Sequence, residues 1–145
     1  MSSEEARLAL SAILRPVTPG ILKNIVAEAA KTSGSSSQDL GRYETLMAQM
    51  TPAVLDVVAA DDVTRSRALQ ALTLRELEDL HVPHIPPVAR VGLLEIGIRL
   101  GRAEVVAAAQ GRPDGAAIIG EFDTFATQLR AATMFGLRSE RKQPR

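Results

Sequence analysis

Apolar residues recur along the chain at the three-to-four-residue spacing of a helix face, and no run alternates with the period of two expected for a half-buried strand. Ala6, Ala9, Leu10, Ile13 and Leu14 form one stripe over residues 4–14, ended by Pro16. Thr18-Pro19, an oxygen cap followed by proline at the first helical position, predicts a second helix carrying Ile21, Leu22, Ile25, Val26 and Ala29. The run 32–38 predicts a flexible loop. Leu40, Tyr43, Leu46, Met47 and Met50 mark a third helix. Thr51-Pro52 repeats the cap-then-proline step and opens a shorter one with Val54, Leu55, Val57 and Val58, which Asp61 and Asp62 interrupt.

Residues 64–72 predict another helix with Ala68, Leu69 and Leu72 inward. Thr73 and Glu76 have capping-box spacing, which predicts a break at Leu72-Thr73 and a short acidic helix after it. Pro83, Pro86 and Pro87 make residues 81–87 irregular, with Pro87 free to start the next helix. Val88, Leu93, Leu94, Ile96, Ile98 and Leu100 cover most of that helix's circumference, leaving a narrow polar stripe of Glu95, Arg99 and Arg102. Gly101 is where it would bend or divide. Residues 111–115 predict a turn, 121–137 a last helix, and 138–145 a charged tail or linker. The pattern predicts an all-α single domain over 1–137, a compact bundle of about six to eight helices around a central apolar helix at 88–100.

Composition narrows the function. In 145 residues, 17 Lys and Arg balance 17 Asp and Glu, which argues against a broadly basic nucleic-acid binder. The chain has no cysteine, hence no disulfide, thiolate nucleophile or cysteine metal site. It starts with an acidic pair rather than a basic leader, and no long window lacks charge, so the expectation is a cytoplasmic protein with no membrane span. No phosphate-binding glycine loop or nucleophile elbow occurs, and Asp61-Asp62 reads as a solvated helix end.

Three constellations remain. His81 and His84, near Glu76, Glu78 and Asp79, are the candidates for binding a cofactor or ligand; no metal site or resident cofactor is expected from them. In length and helix count the chain is similar to the globin family, a resemblance that would make His84 the iron ligand. Three Phe, one Tyr and no Trp leave few rings to line a porphyrin pocket. Arg65, Arg67 and Arg75 flank the expected break at 72–73, as a helix-turn-helix DNA-binding regulator would place them, but the acidic second helix would face phosphate badly. Phe122, Phe125, Leu129, Met134, Phe135 and Leu137 offer an apolar surface for a second copy or another protein. The expected function is a non-catalytic regulatory, sensory or protein-interaction domain in signal transduction, acting as a homodimer. The DNA-binding regulator and the ligand- or haem-binding sensor are the alternatives.

Overall fold

The computed structural model describes residues 3–32, 36–80, 85 and 87–142. These form five helices and no strand: α1 (Ser3–Thr32), α2 (Ser37–Val58), α3 (Asp62–Leu80), α4 (Pro87–Ala109) and α5 (Gly115–Lys142). The all-helical class agrees with the apolar spacing. The count is five rather than six to eight, because three expected breaks are absent.

Two of those breaks were signalled by proline, one at residues 16–19 and one at Thr51-Pro52. Pro16 and Pro19 lie inside α1 and Pro52 inside α2. A proline cannot donate to the carbonyl four residues back, so Ala12, Arg15 and Ala48 lose their helical N–H partners. All three residues are exposed, and so are the three prolines, which leaves the freed carbonyls within reach of water. Thr18 and Thr51, expected as caps, instead turn their hydroxyls back along the helix and donate to Leu14 O at 2.6 Å and Met47 O at 2.5 Å. Leu10, Leu14, Leu22, Ile25 and Ala29 form one buried stripe through both prolines of α1. Burial of that stripe holds the helix together where local propensity alone would divide it.

Thr73 corrects the third break. Its hydroxyl donates to Leu69 O at 2.8 Å, and α3 runs unbroken through Leu72-Thr73. Gly101 does not divide α4 either: a Cβ there would come within 3.3 Å of the Phe122 ring, so the glycine serves close packing against α5. The break at Asp61-Asp62 and the turn before α5 are present. Asp61 caps α3, accepting from Thr64 N at 2.9 Å. Gly111 has φ +76°, and a Cβ on Gly115 would meet Ala109 O at 2.5 Å. Of the expected loop 32–38, Thr32 belongs to α1, Ser36 caps α2 through Asp39 N, and Ser37-Gln38 are helical. α5 begins before Glu121 and continues through part of the expected tail.

α1 and α2 run antiparallel, and so do α4 and α5. Arg7 to Ala59 O and Ser11 to Leu55 O fix α2 against α1, and Gln128 to Arg65 ties α3 beside α5. α1 packs on α2, α4 and α5, while α3 packs on α2 and α5. One core joins Leu10, Leu14, Leu55, Val58, Ile98, Val105, Ile118, Phe122 and Phe125; a second joins Leu22, Ile25, Ala29, Leu40, Tyr43, Ile85 and Leu93. The 88–100 segment of α4 feeds both cores but is not sheathed on all sides: Val88 is 85% exposed, and Gly92 and Arg99 also face out. Its polar stripe is the reason. Glu95 pairs with Arg130 of α5 at 2.6 Å, Arg99 with Glu28 of α1, and Arg102 with Asp123 of α5 at 2.9 Å, clamping α4 along its neighbours.

Candidate contact surfaces

Arg65 was the first candidate for a phosphate contact, and the structure places it in the core with no solvent exposure. Its guanidinium donates to Gln128 Oε1 at 2.5 Å, Val58 O at 3.0 Å and Asp62 Oδ1 at 3.1 Å, and stands 3.5 Å from Glu121 Oε2. The Phe125 ring lies beneath it, 5.8 Å from centroid to charge. Gln128 Nε2 in turn donates to Asp62 O at 3.1 Å. One side chain thus closes the α2–α3 corner and fastens it to α5. Together with Arg7 on Ala59 O, it meets carbonyls at the C-terminal end of α2, whose last turn holds no basic residue of its own. Arg67 and Arg75 are exposed. The three arginines do not converge, and the turn expected between them is continuous helix, so the helix-turn-helix geometry is absent from 64–80.

The apolar candidates on α5 divide. Phe122, Phe125 and Leu137 are buried, the two rings stacked with centroids 6.4 Å apart, and Leu129 packs against the same core. These four build the fold rather than a surface, because α1, α3 and α4 meet the face that carries them. Met134 and Phe135 remain exposed. His81 and His84 lie outside the described residues, as do the side chains of Glu76, Glu78 and Asp79. Among the described residues no group of three or more His, Asp or Glu side chains is placed to hold a metal ion. Asp61 is a cap; its carboxyl is held below the usual carboxylate range by the Thr64 backbone N–H, then by the Thr64 hydroxyl. Asp56 and Glu95 are each paired with an arginine. No helix among the described residues is long and apolar enough to cross a membrane.

Two concave features were not anticipated. The first is a small, partly open cavity of about 90 Å³ between α2, α3, α4 and α5, walled by Met47, Met50, Leu72, Thr73, Leu94 and Thr133 among others. Pockets for drug-sized ligands typically start near roughly 300 Å³, so this void is several times smaller.

The second is a groove of about 380 Å³ on the outer side of the α1–α2 hairpin. Its walls repeat. Arg15, Thr18, Pro19 and Leu22 come from α1, and Ala48, Thr51, Pro52 and Leu55 from α2, in the same order and spacing. Leu22 and Leu55 are buried at its floor, and the carbonyls freed by Pro19 and Pro52 belong to the lining residues Arg15 and Ala48. Lys23 and Glu44 complete the rim. The repeated Thr-Pro step was visible in the sequence as a helix-start signal; its use as two facing walls depended on knowing that both helices continue through it. Compared with protein-family models, curated proteins and solved structures, the chain matches none.

Proposed function

We propose that the chain is a non-catalytic helical regulatory or protein-interaction domain that works as a homodimer. The observation that carries this reading is the α1–α2 groove: a concave, largely apolar surface whose walls are two prolines and two threonines from matched positions. Both threonine hydroxyls are already bonded within their own helices, so covering them costs little, while the carbonyls freed at Arg15 and Ala48 keep open acceptors for water or for a partner's donors. The ion pairs Arg15–Asp56, Glu28–Arg99, Glu95–Arg130 and Arg102–Asp123 join helices within the chain. These charges contribute to assembling the bundle. The cysteine-free, charge-balanced composition is the support for placing the domain in the cytoplasm.

Sedimentation equilibrium of the full chain over a wide concentration range tests the proposal. The expected mass rises from 15.5 kDa toward twice that value. A mass of 15.5 kDa at every concentration overturns the homodimer.

A further inference from the structure

We propose that the second copy docks on the α1–α2 groove about a two-fold axis running along the hairpin. The inference rests on the homodimer reading and adds the surface and the symmetry. The rims of the groove carry opposite charge: Arg15 and Lys23 on α1, Glu44 on α2, with Asp56 of α2 paired to Arg15 at 2.9 Å. The contacts Arg7 to Ala59 and Ser11 to Leu55 set the antiparallel register, and that register brings Lys23 level with Glu44 across the groove. An axis along the hairpin exchanges the two rims while keeping height. It therefore sets α1 of each copy over α2 of the other, with Lys23 facing Glu44 twice and the Arg15–Asp56 pairs stacked in alternating sign.

No side-chain hydrogen bond or ion pair engages Lys23 or Glu44 within the described residues of the chain. The exposed surface in and beside the groove suits close helix approach. Gly41, Thr45, Ala48 and Pro52 form a slim exposed ridge along α2, and the Thr45 hydroxyl is bonded to Gly41 O at 3.0 Å. Pro16, Pro19 and Gly20 do the same for α1. Two hairpins stacked in this way make a four-helix layer whose centre is the two facing grooves, floored by Leu22 and Leu55 of both copies. Exposed ion pairs contribute little affinity each, so here the charges select the register while the apolar floor and prolines supply the contact.

The absence of native cysteine makes the test direct. Lys23→Cys chains are mixed with Glu44→Cys chains and treated with a short bismaleimide. The expected product is a covalent dimer formed in the mixture in greater yield than from either variant alone. In parallel, Lys23→Glu and Glu44→Lys each weaken dimerisation by about tenfold, and the doubly exchanged chain recovers most of it. Each variant is checked for native helix content and Tm. A dimer that forms but neither cross-links at 23–44 nor responds to the charge exchange overturns this interface and leaves the homodimer reading standing. Dissociation by Phe135→Asp alone, with Lys23→Glu silent, moves the interface to α5 and overturns it as well. A monomer at every concentration removes both.

Discussion

At the scale of single residues, Arg65 shows how the same side chain reads differently in sequence and in space. An arginine near other arginines suggests a phosphate contact, but this one has no exposed surface and three donor contacts inside the protein. Removing it leaves Glu121 and the end of α2 without their partner in a desolvated site. Arg65→Ala is expected to lose about 3–5 kcal/mol in urea unfolding. Arg65→Lys recovers little of this, because a point charge cannot reproduce the planar fork. Glycines offer a matched pair. Gly115→Ala drives a Cβ into Ala109 O and is expected to cost about 1–3 kcal/mol. Gly120→Ala, on an open face of α5, gains about 0.5–1 kcal/mol. The same unfolding titration checks both.

Asp61 sets the expected acid response. Its carboxyl titrates below its ordinary value because the Thr64 amide and hydroxyl favour the charged form, and Asp114 does so through Arg112. A lowered folded value means stability that is present above the unfolded carboxylate range and is lost as pH falls through the folded value. Tm is therefore expected to hold above about pH 5 and to fall below about pH 4. Asp61→Asn, which keeps the cap oxygen but does not titrate, flattens part of that fall. A thermal melt series across pH reads the difference.

At the scale of helices, continuity through proline is the feature that local reading misses. Pro16→Ala restores the bond to Ala12 O in the middle of α1 and is expected to raise stability by about 1–2 kcal/mol after the unfolded-state entropy is offset. A chain divided into two helices at that position would show no such gain. The apolar stripes of α1, α2 and α3, the break at Asp61-Asp62, the turn at Gly111 and the polar stripe of α4 were all legible, since each is a local pattern. The joins at Pro16, Thr18-Pro19, Thr51-Pro52 and Thr73 were not. At each, the local signal favours a break, and only packing of residues such as Leu22, Leu55 and Leu69 overrides it. The Arg65 site was hidden for a related reason: its partners Gln128 and Glu121 lie far along the chain. The groove was half legible, in that its two walls share a motif whose pairing depends on the hairpin.

At the scale of the whole molecule, two apolar cores hold the five helices, with a buried arginine at the α2–α3 corner and exposed ion pairs along α4. The upper half is different, because the void there separates Leu72 and Thr73 of α3 from Leu94 of α4. Among the described residues, α3 is anchored at its start and meets fewer partners farther along. Amide hydrogen exchange should report that asymmetry as a gradient, with amides around Leu69 slow and those around Thr73 and Arg75 faster by about an order of magnitude or more. Filling the void from α5, for example by Thr133→Met, would slow the fast end if the added side chain packs there. Equal protection along α3 would contradict the gradient. A helix secured at one end opens most easily away from it, so the small unfilled space marks the stretch around Thr73 as the expected place where α3 first loosens.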